Sequence, residues 1–514
     1  MTPPETLSAG PPPDQRPPAR TGITGLDEIL NGGLPPHHVY LIDGDPGTGK
    51  TTAALQFLLE GAAIGERVLY VALSESGAEL GIVGDSHGWS LAGIDVFELA
   101  DHGVGRAEAD YTLFHPSEVE LQDTMDRVYA AMEEYRPQRV VFDSLSEMRL
   151  LARDPLRFRR QMLSLKQYFD GRGCTVLLLD DKTAPGQDLQ LHSLAHGVIM
   201  LEHVALEYGA ERRRLQVRKL RGKAFRGGFH DFRIQRGGVI VYPRISHGAE
   251  SSHTPDQQLS SGSAQLDALL GGGIQRGSST LITGAAGTGK SVLCTQYASQ
   301  ALQSGERVRF YLFDERLATF RRRCDGLGMQ LDGPDVPGRL TLRQVEPTQM
   351  SPGEFANDVR QAVEQEDLSM LIIDSINGYM QSMPQERLLP VQVHELLTYL
   401  SNHGVTSIMT LVQRGIFGNP VEEAADVSYL ADTVILLRYF EVQGAVRQAI
   451  SVVKKRSTNH ERTIRECRVG PGGMHVGLPL SEFQGVLTGV PEYVGELRPL
   501  MPTDEPVAPK RRRK

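Results

Sequence analysis

Two glycine-rich segments of the chain have the residue types and spacing that bind phosphate. The first P-loop is GDPGTGKT, from Gly44 to Thr51, and the second P-loop is GAAGTGKS, from Gly284 to Ser291. Both fit G-x-x-x-x-G-K-[ST], in which glycines let the backbone curl so that successive N–H groups converge on phosphate oxygens. The lysine reaches the outer phosphates, and the hydroxyl after it binds Mg²⁺. The two segments therefore predict two nucleotide sites.

The residues predicted to contact the nucleotide lie in these loops and in the first turn of the helix after each. They are Gly44, Gly47, Thr48, Gly49, Lys50, Thr51 and Thr52 in the first site, and Gly284, Gly287, Thr288, Gly289, Lys290, Ser291 and Val292 in the second. Mg²⁺ also needs a carboxylate at the tip of a buried strand. Asp143 in VVFD and Asp374 in LIID fit this role, 93 and 84 residues after the P-loop lysines. With Thr51 and Ser291 they are the predicted metal ligands.

Hydrolysis or phosphoryl transfer needs a further group that orients or deprotonates the nucleophile. That group is expected at the end of the next strand, where the two sites differ. The first site has Ser74 and Glu75, and the second has Asp314 and Glu315. Serine is a poor base at neutral pH unless another group activates it. We therefore predict that the second site is the more active one and that the first mainly binds nucleotide.

The regions around the two P-loops repeat each other at an offset of 240 residues. The segment TGITGLDEILNGGL at Thr21 matches SGSAQLDALLGGGI at Ser261, and GERV at Gly65 matches GERV at Gly305. One register held over this distance indicates a tandem duplication. In each copy short apolar runs alternate with helix-length stretches, which predicts an α/β fold with a mostly parallel central sheet and helices on both faces. The late segments RRLQVRKLRG and QAISVVKKRS are predicted to add antiparallel strands at the sheet edge.

Length and composition limit the class of protein. The chain has 514 residues, more than one ordinary domain accommodates, and a formal net charge of −9. That charge argues against a nucleic-acid partner, which would need concentrated positive charge. No apolar run approaches the roughly 18 residues that span a bilayer. Four cysteines without a CxxC pair fit a reducing compartment. We therefore expect a cytoplasmic protein without a membrane span.

Together these features resemble the KaiC family of RecA-superfamily ATPases. The resemblance rests on the opening TGITGLDEILNGGL, the two P-loops, the carboxylates after the second strand, the FDS and IDS strand ends and the KLRG segment, over about residues 20–490. It implies two RecA-like P-loop domains, ATP as the nucleotide, and a homo-hexamer with ATP at subunit interfaces. It also implies signalling partners, either KaiA-like or KaiB-like proteins or a histidine kinase with its response regulator.

The same resemblance assigns a basic pair in each copy that reaches the γ-phosphate held by a neighbouring subunit. The pairs are Lys219 with Arg221 and Lys454 with Arg456. Such residues stabilise charge that develops on the phosphate. The full set of predicted catalytic residues is Lys50, Glu75, Lys219, Arg221, Lys290, Asp314, Glu315, Lys454 and Arg456.

Family members phosphorylate an adjacent Ser-Thr pair of their own second domain. Ser428 falls at the first acceptor position here, and Tyr429 stands in place of the threonine. The resemblance therefore predicts a serine/threonine autokinase with Ser428 as its candidate acceptor. An ordered cycle of two phosphorylations is not expected.

Segments without an apolar pattern set the predicted domain boundaries. Residues 1–20 contain seven prolines and are predicted to be a disordered tail, 246–260 a linker, and 491–514 a tail that ends in KRRRK. The two ATPase domains are then residues 21–245 and 261–490.

Two other functions remain open on the sequence alone. A RecA-like DNA-dependent ATPase would need basic loops facing nucleic acid, and dense basic runs occur at Arg212–Arg214, Arg321–Arg323 and the tail. Alternatively, the ring binds ATP as a scaffold or switch for partners and lacks kinase activity.

Overall fold

The computed structural model describes most of the chain. The described residues are 17–99, 116–181, 189–205, 209–245, 257–329, 331, 338–346, 348–381, 389–413, 428–442, 444–486 and 492–494. Most of the predicted N-terminal tail, linker and C-terminal tail lies outside them. The chain divides into two compact units, residues 1–245 with 348–359, and residues 246–347 with 360–514.

Each unit has a central sheet of nine described strands in the same order. The strands of the first sheet are β1 (Val39–Gly44), β2 (Val68–Ala72), β3 (Asp95–Glu98), β4 (Arg139–Asp143), β5 (Thr175–Asp181), β6 (Gly197–Val204), β7 (Arg212–Leu220), β8 (Phe229–Gln235) and β9 (Gly238–Tyr242). Their spatial order is β3-β2-β4-β5-β1-β6-β7-β8-β9.

The second unit repeats that arrangement. Its described strands are β10 (Gln258–Leu259), β11 (Ile274–Gln275), β12 (Ser279–Gly284), β13 (Val308–Leu312), β14 (Leu340–Gln344), β15 (Met370–Asp374), β16 (Thr406–Val412), β17 (Thr433–Val442), β18 (Ala445–Lys455), β19 (Arg465–Gly470), β20 (Gly473–Pro479), β21 (Phe483–Gln484) and β22 (Glu492–Tyr493). The sheet order is β14-β13-β15-β16-β12-β17-β18-β19-β20, and β10-β11 and β21-β22 form two small ribbons.

Helices alternate with the parallel strands. In chain order they are α1 (Leu26–Ile29), α2 (Lys50–Ala63), α3 (Gly77–His87), α4 (Pro116–Tyr135), α5 (Leu145–Ala152), α6 (Pro155–Phe169), α7 (Leu189–Leu194), α8 (Ala264–Leu269), α9 (Lys290–Gln303), α10 (Leu317–Gly326), α11 (Pro352–Glu366), α12 (Ile376–Gln381) and α13 (Leu389–Asn402). Among the described residues, none of these is both long and apolar enough to cross a membrane.

The predicted α/β fold is confirmed in both units. Strands β1 to β6 are mutually parallel where they pair, and β7 to β9 continue the sheet as antiparallel strands. Both faces of the first sheet are covered, because alternate residues of β1 belong to different apolar clusters. Tyr40 and Ile42 pack in one cluster, and Val39 and Leu41 pack in the other. A strand buried on both faces explains why its sequence is an unbroken apolar run.

The paired backbone extends beyond the domain limits predicted from the sequence. Ala19, assigned to the tail, is buried and its N–H donates to the Leu34 carbonyl at 2.8 Å. Strand β10 falls within the predicted linker, and β22 falls within the predicted C-terminal tail. Short strands such as these have too few apolar residues to register as a pattern, because their hydrogen bonds use the backbone alone.

Candidate functional site

Each P-loop joins a central strand to a helix, β1 to α2 and β12 to α9. The glycines before these helices, Gly49 and Gly289, have φ of 97° and 96°, a left-handed conformation that glycine adopts without strain. A Cβ on Gly49 would lie 2.5 Å from the Cδ1 of Ile234. Thr52 and Val292 have buried side chains in the first helical turns. These two residues can therefore donate to a phosphate only through their backbone N–H groups, which lie at the positive end of the helix dipole.

The lysine of the first P-loop is buried and lies against its own loop. Lys50 Nζ donates to the carbonyls of Gly44 at 2.8 Å and Asp45 at 3.0 Å. It also forms an ion pair with Asp181 Oδ1 at 2.6 Å. Asp181 ends β5, the strand beside β1, so a carboxylate competes with phosphate for this ammonium group.

The lysine of the second P-loop has the same backbone contacts without that carboxylate. Lys290 Nζ donates to the carbonyls of Gly284 at 2.9 Å and Ala285 at 2.7 Å. The residue that corresponds to Asp181 in the pairing of the strands is Val412, because Gly44 pairs with Asp181 and Gly284 pairs with Val412. Burial lowers the pKa of Lys290 to about 8.

The predicted Mg²⁺ ligands come together in the first site. Thr51 Oγ1 donates to Asp143 Oδ2 at 2.8 Å, and the aspartate is buried at the end of β4. In the second site Ser291 and Asp374 line one cavity. A hydroxyl and a carboxylate beside a phosphate cradle are the oxygen donors that Mg²⁺ prefers, so the residues fit this ion.

Glu75 is the carboxylate that faces the first site from the loop after β2. The side chain of Ser76 caps α3 in a capping box with Glu79, so Glu75 directly precedes the residue that caps the helix. Burial raises the pKa of Glu75 to about 7, and the negative charges of Asp143, Glu79 and Asp181 add to this effect. Ser74, the residue before it, is exposed.

Both predicted carboxylates of the second site have partners nearby. Ser375 Oγ donates to Asp314 Oδ2 at 2.5 Å. Arg323 Nη2 of α10 forms an ion pair with Glu315 Oε2 at 2.9 Å. Burial raises the pKa of Glu315, and the charge of Arg323 counteracts part of that rise. Both carboxylates are therefore held in place by the protein's own side chains.

One cavity unites the predicted parts of the second site. Its volume is about 460 Å³. Its lining includes most of the second P-loop, the carboxylates Asp314 and Glu315, and Asp374 from the end of β15. A phosphate cradle, a metal-side carboxylate and two candidate bases around one space can bind a nucleotide and activate a nucleophile beside its terminal phosphate.

The first basic pair does not meet the P-loop of its own unit. Lys219 pairs with Val198 near the start of β6, whereas the P-loop follows the end of the parallel strand β1. Lys219 Nζ donates to the carbonyls of His192 at 2.6 Å and Ala195 at 2.7 Å. Arg221 donates to the Ser193 carbonyl at 2.9 Å. The pair thus lies at the opposite end of the sheet from its own phosphate cradle.

The second basic pair has corresponding contacts with backbone carbonyls, that of Ser428 among them, and Arg456 also forms an ion pair with Asp432 at 3.4 Å. Lys454 Nζ donates to the carbonyls of Ser428 at 3.0 Å and Ala431 at 2.7 Å. Arg456 donates to the Tyr429 carbonyl at 3.2 Å. Ser428 therefore occupies the place that His192 has in the first unit. The candidate phosphate acceptor thus lies beside the second basic pair.

Asp181 and Arg323 are site residues that the sequence interpretation missed. Asp181 is the second of two aspartates that end the apolar run TVLLL, and a polar residue at such a strand end is a usable signal. Arg323 lies in a run of three arginines on α10, where sequence alone does not indicate which one turns inward.

The chain is similar in sequence to known proteins. A family model described as "ATPase: KaiC" matches residues 19–246 and 259–481. The circadian clock protein KaiC3 of Synechocystis sp. (strain PCC 6803) is 26% identical over 93% of this chain and 95% of its own length. The circadian clock oscillator protein KaiC of Synechococcus elongatus is 26% identical over 92% of both chains. That of Acaryochloris marina is 24% identical, over 92% of this chain and 91% of its own.

Proposed function

Because the chain belongs to the KaiC family of ATPases, we propose that it binds ATP with Mg²⁺ at two sites and hydrolyses it mainly at the second. The observation that carries this proposal is the second-site cavity, which the P-loop, Asp314, Glu315 and Asp374 line together. We propose residues 21–245 and 261–490 as the domains that hold the sites, and the family match over residues 19–246 and 259–481 supports a division into two domains.

The roles in the second site follow from the contacts of each residue. The second P-loop holds the phosphates with its N–H groups, and Lys290 moves from its loop carbonyls to the outer phosphates. Ser291 and Asp374 would hold Mg²⁺, which would neutralise the negative charge of the phosphates. Asp314 and Glu315 orient the nucleophile and accept its proton.

The first site is proposed to bind ATP and to turn it over more slowly. Its leading base position is Ser74, and the pKa of Glu75 near 7 leaves that carboxylate only partly ionised at neutral pH. Lys50 must also leave its ion pair with Asp181 before it can engage a phosphate. Both features reduce transition-state stabilisation relative to the second site.

We further propose a homo-hexameric ring in which the basic pairs act on the ATP of a neighbouring subunit. Both pairs lie away from the P-loop of their own unit, which supports action between subunits. Ser428 lies beside Lys454, so the same surface would present this hydroxyl to the neighbour's γ-phosphate. Its oxygen would then attack the γ-phosphorus, ADP would leave, and a carboxylate of that site, Asp314 or Glu315, would take the proton.

The test combines native mass spectrometry with phosphopeptide mapping of the same sample. We expect ATP to favour a hexamer, and label from γ-labelled ATP to appear on Ser428 and disappear in Ser428→Ala. A Ser193→Ala chain is the matched control, because Ser193 lies in the corresponding turn of the first unit. ATP binding and turnover without label would instead support the scaffold or switch. Turnover that rises with single-stranded DNA would support the DNA-dependent alternative.

A location in the cytoplasm and the signalling partners stay part of this proposal. KaiA-like or KaiB-like proteins, or a histidine kinase with its response regulator, are the partner classes to test first. Affinity capture with the ATP-loaded and ADP-loaded ring would identify partner proteins whose binding depends on which nucleotide is bound.

A further inference from the structure

In each unit a hydroxyl from outside the P-loop donates to the metal-side carboxylate. Asp143 Oδ2 accepts from the hydroxyl of Tyr70 as well as from Thr51. Asp374 Oδ1 accepts from Thr410 Oγ1 at 2.5 Å. Tyr70 and Thr410 are both completely buried.

The two donors come from opposite sides of the strand that holds the aspartate. Strand β4 lies between β2 and β5, and β15 lies between β13 and β16. Tyr70 belongs to β2, whereas Thr410 belongs to β16, the counterpart of β5. The same carboxylate is therefore approached from one neighbouring strand in the first unit and from the other in the second.

The pairing of the strands shows that neither unit has the other's donor. Val68 pairs with Arg139 and Val308 pairs with Met370, so Phe310 takes the place of Tyr70 in the second unit. By the same argument, Thr175 pairs with Arg139 and Thr406 pairs with Met370. Leu179 therefore takes the place of Thr410 in the first unit.

A buried carboxylate has a physical need for such a donor. Burial penalises the charged form unless hydrogen bonds satisfy its oxygens. A fixed donor also sets the rotation of the carboxylate, and partners of this kind control the affinity of a metal site through the ligand that they hold. The hydroxyls of tyrosine and threonine perform this function without adding charge beside the phosphates.

We infer that Tyr70 is a positioning residue for Asp143 and that Thr410 is one for Asp374. Each metal-side carboxylate is thus held by a hydroxyl, which comes from opposite neighbouring strands in the two units. This inference rests on the proposed function, since it concerns how each carboxylate is presented to Mg²⁺ and ATP. Tyr70 and Thr410 would act through the carboxylates to which they donate.

The test measures ATP affinity with Mg²⁺ and with EDTA, one site at a time. A Lys290→Ala chain reports on the first site, and a Lys50→Ala chain reports on the second. Removing the hydroxyl, by Tyr70→Phe or Thr410→Val, is expected to weaken Mg²⁺-ATP binding at its own site about tenfold. Binding in EDTA, which uses the P-loop alone, should change less than twofold, and the melting temperature without nucleotide controls for loss of packing.

Transplanting the donor provides the rescue. Leu179→Thr added to Tyr70→Phe should restore Mg²⁺-dependent affinity in the first site, and Phe310→Tyr added to Thr410→Val should restore it in the second. Equal loss of affinity in Mg²⁺ and EDTA, or unchanged affinity in both, would overturn the inference. If the parent chains bind no ATP at all, the proposed function fails instead, so the two failures are distinguishable.

Discussion

The first site should have a pH dependence that is set by Glu75. If Glu75 acts as a base there, only its ionised form is active, and a raised pKa shifts that ionisation to higher pH. With a pKa of about 7, Glu75 is about one-tenth ionised at pH 6 and about nine-tenths ionised at pH 8. The first-site rate should therefore rise about tenfold between these values.

The assay is kcat/KM for ATP, because that parameter reports ionisations of the enzyme before substrate binds. A Lys290→Ala chain isolates the first site. A Lys50→Ala chain, measured in the same buffers, serves as the reference, because the ionisation of ATP itself affects both chains equally. The ratio of the two profiles should rise between pH 6 and pH 8.

Two results would refute this reasoning. A flat ratio between pH 6 and 8 would mean that the ionisation of Glu75 does not limit the first site. The same rise in a chain that also carries Glu75→Gln would assign the titration to another group. Asp181→Asn offers a directional check, because removing one nearby negative charge should move the midpoint to lower pH.

Three further predictions follow from the phosphate cradles. Lys290→Ala should remove most ATP turnover and Lys50→Ala only a minor part; the reverse result would assign the activity to the first site. Asp181→Asn should tighten ATP binding at the first site several-fold, measured in the Lys290→Ala background, because Lys50 no longer leaves an ion pair of 2.6 Å. Gly49→Ala should lower the free energy of unfolding by about 1–3 kcal/mol, measured in denaturant, because φ is 97° and the new Cβ would meet Ile234.

Much of the fold was predictable because its signals are local. Unbroken apolar runs mark strands covered on both faces, and Gly49 and Lys50 show where a strand passes into a helix at a phosphate cradle. The repeat then indicates that two such units follow each other.

The parts that the sequence did not reveal depend on which strands are neighbours. Tyr70 lies in an apolar run where nothing distinguishes it from a core residue until β2 is placed beside β4. Asp181 and Lys50 are distant in sequence and meet only because β5 and β1 are paired. The inward turn of Arg323 likewise needs the packing of α10 over the second cavity.

The position of β4 and β15 in the interior of their sheets has a consequence for how the two halves diverged after duplication. An aspartate flanked on both sides can gain a new hydroxyl from one neighbour before it loses the old one from the other. An ancestor with tyrosine and threonine together would have kept its carboxylate satisfied at every step, so the exchange could proceed by single substitutions without a defective intermediate. A sheet-edge aspartate, with one neighbour only, would have had no such route.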